Sequence, residues 1–136
     1  MIVMADKLQR LEIVTPAKKL FSEDVRFVVV PGVMGELGIL PEHTPLMSAL
    51  KIGIVRFEQD GKTYKVAING GFVEIRNNKV SILADSAERA EDIDRHRAEI
   101  AKERAEKRLA SKTSDLDVAR AEQALKRALN RLKALQ

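Results

Sequence analysis

Residues 53–68, GIVRFEQDGKTYKVAI, carry the strongest local signal for a fold in this chain. Two runs rich in β-branched and aromatic residues, Gly53 to Gln59 and Tyr64 to Ile68, lie on either side of the dipeptide Asp60-Gly61. The favoured two-residue hairpin turn needs a positive φ at both central positions, which Asp and Gly tolerate. The stretch therefore predicts an antiparallel β-hairpin.

Further β-prone runs lie on both sides of this hairpin, between Leu8 and Asp85. Leu11 to Thr15 and Val25 to Val30 are predicted strands, and Asn77-Asn78 is a weaker version of the hairpin turn. Several short strands separated by turn residues at this spacing are typical of two packed antiparallel sheets. Residues 1–86 are therefore predicted to form an antiparallel β-sandwich.

After Ser86 the chain contains no Gly or Pro and is rich in Ala, Leu, Glu, Lys and Arg, which favour helices. A first helix is predicted from about Asp92 to Ala110, and a second after Ser114, which forms a capping-box-like start with Asp117. Apolar residues repeat every three or four positions in both: Ala98, Ala101, Ala105 and Leu109, then Val118, Ala121, Leu125, Ala128, Leu132 and Leu135.

The short polar connection from Ser111 to Ser114 predicts that the two helices fold back on each other. Residues 87–136 should therefore form an antiparallel helical hairpin, which makes the fold class α+β. The contacts between the helices are mostly alanines, so the hairpin gains little burial energy over the entropy of ordering it. We expect it to open at low cost.

Composition excludes several kinds of protein. The 136 residues contain 24 basic and 20 acidic side chains, and the positive excess lies mostly after Ser86, interleaved with acids as on solvated helices. Cys is absent, so disulfides and thiolate metal sites are excluded. The first residues and the later apolar runs predict neither a secretory signal nor a transmembrane helix.

No catalytic or metal-binding pattern accompanies the two histidines, His43 and His96. A phosphate-binding G-x-x-x-x-G-K-[ST] loop is also absent from the sequence. The sequence therefore predicts a protein that is not an enzyme, with no catalytic residues and no metal site.

Residues 31–46, PGVMGELGILPEHTPL, form the most distinctive motif of the chain. Its glycines at 32, 35 and 38 predict backbone turns, and Pro41 and Pro45 predict a stiff loop around His43. The motif closely resembles the signature of the epsilon subunits of bacterial F-type ATP synthases. Residues 70–74, GGFVE, and 80–85, VSILAD, are similar to strands of the same family, so the resemblance covers essentially the whole chain.

The resemblance implies a non-catalytic central-stalk subunit of a proton-translocating rotary motor, peripheral on the cytoplasmic face of the bacterial membrane. In the family, the sandwich contacts the gamma subunit and the c-ring, so the resemblance places Glu36 against the c-ring and His43 with Thr44 near gamma. The resemblance also implies a mobile helical arm that, when extended, would meet the alpha and beta subunits and inhibit ATP hydrolysis.

Residues 93–98, IDRHRA, resemble the I/L-D-x-x-R-A motif that binds ATP in some bacterial epsilon subunits. The resemblance implies that ATP, with or without Mg²⁺, stabilises the folded arm as a regulatory ligand. The implied ATP-binding residues are Glu88, Ile93, Asp94, Arg97, Ala98, Arg104, Arg127 and Arg131. Spacing alone favours a different interpretation, ordinary charge pairs on a solvated helix surface, and the match to the motif reverses that preference.

A second interpretation is a generic β-sandwich and coiled-coil scaffold that binds an acidic protein or nucleic acid through its last helix. Five basic residues on that helix would serve: Arg120, Lys126, Arg127, Arg131 and Lys133. Asp115, Asp117 and Glu122 on the same helix, and the lack of aromatic stacking residues, argue against nucleic acid.

Overall fold

The computed structural model describes residues 7–111 and 114–136, with the backbone alone at 115 and 116. These residues divide into two compact units between Glu88 and Arg89. The strands are β1 (Gln9–Val14), β2 (Lys19–Val25), β3 (Val28–Gly32), β4 (Gly35–Ile39), β5 (Leu46–Gln59), β6 (Lys62–Arg76), β7 (Lys79–Ala84) and β8 (Ala87–Arg89). A 3-10 turn (Ala90–Asp92) precedes the helices α1 (Arg95–Ser111) and α2 (Asp115–Ala134).

The strands follow the order β2-β1-β7-β6-β5-β3-β4, with β8 paired to β6 outside this path. Pairing is antiparallel except between β1 and β7, which run parallel. The long strands β5 and β6 pair with each other along most of their length and serve both layers of the sandwich. Within β6, only the part from Gly71 onward pairs with β7, whereas within β5 the part from Leu50 onward pairs with β3.

The core lies between the two layers because alternate residues of each strand point inward. Val80, Ile82 and Ala84 of β7 are buried, as are Val73 and Ile75 of β6. The few aromatic residues pack together: the ring centroids of Phe21 and Phe57 are 4.7 Å apart, and those of Phe57 and Tyr64 are 5.5 Å apart. As the composition indicates, aliphatic side chains make up most of this core.

β6 passes from one layer to the other at Gly70-Gly71. Gly70 has a φ of 91° and Gly71 a φ of 135°. A residue with a Cβ adopts such positive values only at a cost in conformational energy. A Cβ on Gly71 would also collide with the carbonyl oxygen of Leu83. The close approach of β7 to this corner therefore requires glycine at position 71.

Both predicted hairpin turns are present. Asp60 and Gly61 have φ of 52° and 78°, and Asn77 and Asn78 have φ of 53° and 59°. These values are those of the tight turn whose twist matches the flanking strands.

The predicted single strand from Val25 to Val30 is wrong. β2 ends at Val25 and β3 begins at Val28, with Arg26 and Phe27 between them. β2 pairs with β1 in one layer and β3 pairs with β5 in the other, so the chain has to break where it changes layers. Local β-propensity is high throughout this stretch and does not reveal the crossing.

The predicted backbone turns at glycines 32, 35 and 38 are wrong in part, because Gly35–Ile39 is the edge strand β4. It pairs with β3 to form a hairpin whose tip is Val33-Met34. Of the three glycines in the motif, only Gly35 has a φ, 129°, in the left-handed half of conformational space. At Gly32 the constraint is space, since a Cβ would lie 2.6 Å from the carbonyl oxygen of Gly35.

The two helices pack against each other, and the predicted apolar stripes face their contact. Ala98 and Ala105 of α1 are buried, as are Ala121 and Ala128 of α2, so small side chains allow a close approach. The Ser114 hydroxyl accepts a hydrogen bond from the Asp117 N–H at 3.2 Å, which confirms the predicted N-cap of α2. In the described part of the chain, neither helix is long and apolar enough to cross a membrane.

An ion-pair cluster on the outer face of the first layer gives a stability prediction. The Glu12 carboxylate lies between the ammonium groups of Lys79 and Lys19, the latter at 3.0 Å. Hydrogen bonds from Lys79, which contributes most, and from Lys19 lower the pKa of Glu12 from 4.5 to about 2. We therefore expect Glu12→Gln to lower the free energy of unfolding at pH 7, measured by urea denaturation.

The pH dependence follows from the direction of this shift. Because the folded state lowers the pKa, the contribution of Glu12 is complete above pH 4.5 and is lost as the pH falls toward about 2. The difference in the free energy of unfolding between the parent and Glu12→Gln should therefore decrease as the pH falls over that range. Glu74→Gln, on the same outer face, is the control and should have a smaller effect. A difference that stays constant with pH would contradict the prediction.

Candidate functional site

An exposed apolar surface crosses the outer face of the first layer. Strand register aligns Val14 of β1 with Leu83 of β7, Leu83 with Phe72 of β6, and Phe72 with Ala49 of β5. Met47 lies two residues from Ala49 on the same face of β5. We call these five residues the apolar row.

The largest side chains of the apolar row are mostly exposed: Met47 is 66% exposed, Leu83 57% and Phe72 56%. Contiguous apolar side chains in contact with water usually mark a surface that binds another molecule. This row was not predicted from the sequence. The sequence feature that indicates it is a pair of adjacent apolar residues in each of two strands, Phe72-Val73 and Ile82-Leu83. Because neighbouring side chains of a strand point to opposite faces, one member of each pair must face outward.

The three predicted partner-contact residues lie on the sandwich, in two different segments. Glu36 is on the edge strand β4, where its exposed carboxylate accepts a hydrogen bond from Arg56 at 3.0 Å. The adjoining hairpin tip exposes Val33 and Met34, the latter almost completely. Glu36 is therefore accessible, but it belongs to an ion pair.

His43 and Thr44 lie in the segment from Pro41 to Pro45 that leads into β5 and the apolar row. The His43 ring donates from Nδ1 to the Thr44 carbonyl oxygen at 2.7 Å. Glu42, just before them, has a left-handed φ of 65°. Its N–H donates to the side-chain oxygen of Asn78 at 2.9 Å. A hydrogen bond to Asn78, which lies outside this segment, thus helps to hold its conformation.

The predicted ATP-binding residues differ in accessibility. Asp94, Arg97 and Arg104 are exposed, Glu88, Arg127 and Arg131 are half-buried, and Ile93 and Ala98 are buried. Asp94 also has a structural role that was not predicted: its carboxylate accepts a hydrogen bond from the Arg97 N–H at 3.2 Å and so caps α1. This cap explains why α1 begins at Arg95, later than predicted.

The helical hairpin brings four arginines to one edge. Arg97 comes directly before the buried Ala98 and Arg104 directly before the buried Ala105, so each arginine lies about 100° around α1 from its alanine. On α2, Arg127 comes directly before the buried Ala128 in the same way. In two antiparallel helices whose alanines face each other, these positions fall on the same side. Arg131, one turn after Arg127, lies there too.

Along the hairpin, Arg97 and Arg127 lie at similar heights, whereas Arg104 lies nearer to the connection and Arg131 farther from it. Arg97 precedes Ser111 by 14 residues and Arg127 follows Ser114 by 13, so both lie about 20 Å from the connection. Clustered guanidinium groups favour an anion with several phosphates, because each offers parallel donors to phosphate oxygens. Among residues 7–111 and 114–136, no His, Cys, Asp or Glu side chains form a metal-binding group of three or more.

Family models match nearly all of the chain. Residues 8–90 match the β-sandwich domain of the ATP synthase delta/epsilon chain, and residues 91–136 match the long α-helix domain of the same chain. These two matches divide the chain close to the division between its compact units.

Relatives and solved structures agree with the family models. An ATP synthase epsilon chain from Pelotomaculum thermopropionicum is 68% identical over 131 residues, covering 96% of this chain and 98% of that one. One from Desulforamulus reducens is 59% identical over 130 residues, with the same coverage. A chain in the cryo-EM structure of the Euglena gracilis mitochondrial ATP synthase superposes with a TM-score of 0.81 at 26% identity, covering 93% of this chain and 80% of that one.

Proposed function

The chain belongs to the ATP synthase delta/epsilon family, as a non-catalytic epsilon-type subunit of the central stalk, and we propose that its sandwich binds the rotor through the apolar row. The partner is the gamma subunit of the stalk. His43 and Thr44 lie a few residues before Met47 and extend the same binding surface.

The exposed apolar row is the observation that carries this proposal. Burial of a side chain the size of Phe, Leu or Met contributes about 1.5–3 kcal/mol, so Phe72, Leu83 and Met47 together offer a substantial driving force. A partner with an apolar surface would bury them, and neighbouring charges such as Arg10 and Lys79 would form a polar rim. A nucleic acid would gain little from such a surface.

The edge of the second layer is proposed to meet the c-ring. Met34 and Val33 project from the β3–β4 hairpin tip, and Glu36 with Arg56 follows on β4. An ion pair next to exposed apolar side chains suits the polar loops of a membrane-embedded ring. We propose that the protein lies at the cytoplasmic face of the bacterial membrane and is held there through the complex.

The helical hairpin is proposed to be a regulatory arm. The helices contact through small alanines, which favours easy opening, and the four arginines share an edge only while the helices are folded together. ATP bound to that edge stabilises the folded arm. When ATP is scarce the arm extends toward the alpha and beta subunits and inhibits ATP hydrolysis, its basic second helix meeting acidic side chains there.

A binding experiment tests the stalk proposal against the scaffold interpretation. We expect the purified 136-residue chain to bind a catalytic head that contains gamma but lacks its epsilon subunit, and to leave the electrophoretic mobility of DNA and RNA unchanged. Analytical ultracentrifugation measures the first and a mobility-shift assay the second. Binding to nucleic acid without binding to the head would overturn the stalk proposal in favour of the scaffold.

A further inference from the structure

We propose that Asn78 is a positioning residue for the partner-binding segment Pro41–Pro45, which it holds through its side-chain carboxamide. The proposal rests on the stalk-binding function above, because it concerns how His43 and Thr44 are presented. Asn78 lies in the β6–β7 turn, 36 residues from the Glu42 backbone that it contacts.

The geometry shows a clamp between three distant parts of the chain. The Asn78 side-chain oxygen accepts the Glu42 N–H at 2.9 Å, and its side-chain nitrogen donates to the Leu8 carbonyl oxygen at 2.9 Å. Its backbone carbonyl accepts the Arg10 N–H at 3.1 Å. One residue thus joins the start of β1, the β6–β7 turn and the segment after β4.

The clamped segment needs external support. Glu42 has a φ of 65°, a conformation that is unfavourable for a residue with a Cβ and persists only where the surroundings stabilise it. Its N–H donates to the side-chain oxygen of Asn78, which lies outside the segment. Without that bond the segment should relax from the left-handed conformation, and His43 with Thr44 would be displaced.

The turn allows a matched pair of substitutions. Asn77 and Asn78 have nearly the same φ, 53° and 59°, and Gly tolerates both positions. Asn78→Gly removes both side-chain hydrogen bonds of the clamp and creates Asn-Gly, the most favoured pair for this turn, so the hairpin should still form. Asn77→Gly makes the equivalent change to the neighbouring residue and leaves the clamp in place.

The first readout does not depend on any partner. In amide hydrogen exchange of the full chain, we expect the Glu42 N–H to exchange several-fold faster in Asn78→Gly and at the parent rate in Asn77→Gly. The second readout is affinity for the gamma-containing head. Loss of one ordering hydrogen bond should weaken binding by about fivefold to tenfold in Asn78→Gly.

A rescue variant separates positioning from general destabilisation. Glu42→Gly removes the conformational cost at position 42, so we expect Glu42→Gly/Asn78→Gly to recover most of the lost affinity. If the parent binds the head and Asn78→Gly binds equally well, the positioning role is overturned. The positioning role is also overturned if Glu42→Gly/Asn78→Gly binds the head no more tightly than Asn78→Gly. If the parent does not bind the head, the proposed function fails, and this proposal with it.

Discussion

Phe72→Asp is expected to weaken binding of the chain to the gamma-containing head by at least about a hundredfold while leaving it folded. Phe72 is at the centre of the apolar row and is 56% exposed, so in the free chain the new carboxylate remains in water. In the complex it would lose the burial of a large side chain and place an unpaired charge in an apolar interface. These penalties exceed the 2.7 kcal/mol that a hundredfold change requires.

Lys62→Asp is the control for this substitution. It places the same carboxylate at the other end of β6, ten residues and about 33 Å of extended strand away from Phe72. The affinity of Lys62→Asp for the head, measured by surface plasmon resonance, should be close to that of the parent. Circular dichroism should show that the parent, Phe72→Asp and Lys62→Asp are all folded. Equal affinities for parent and Phe72→Asp would show that the apolar row does not face the rotor.

The elements that follow from local rules were predictable. Asp60-Gly61 and Asn77-Asn78 need positive φ at adjacent positions, and the structure has it. Ser114 caps α2 as expected, because a hydroxyl before a helix has a backbone N–H within reach. Alternating and helical apolar periods likewise distinguished the strands from the helices.

Features that depend on the tertiary arrangement were not predictable in the same way. The break at Arg26-Phe27 exists because β2 and β3 belong to different layers, and the parallel pair β1–β7 joins segments almost 70 residues apart. The apolar row forms only when four strands are in register. Asp94 is ambiguous at sequence level, since the same residue matches a nucleotide motif and caps α1.

ATP is expected to bind the full chain and to bind Arg97→Ala at least about tenfold more weakly. A charge-assisted hydrogen bond between a guanidinium group and a phosphate contributes about 1.5–3 kcal/mol, and 1.4 kcal/mol corresponds to a factor of ten. Isothermal titration calorimetry of ATP into parent and variant measures the change. Arg95→Ala is the matched control: Arg95 is exposed on the same helix but about 200° around it from Arg97, so its affinity should equal that of the parent.

The effect on the arm follows from the difference in affinity between its two states. A ligand that binds only the folded arm stabilises it by about 2.7 kcal/mol at a hundredfold excess over Kd, enough to reset a weak equilibrium. Energy transfer between labels on the sandwich and near Leu135 should therefore rise with ATP in the parent and in Arg95→Ala, but barely in Arg97→Ala. For Asp94 the informative change is Asp94→Ser, which keeps the cap of α1 and removes the charge. If Arg95→Ala and Arg97→Ala respond to ATP alike, the arginine edge is an ordinary solvated helix surface and the arm is not switched by nucleotide.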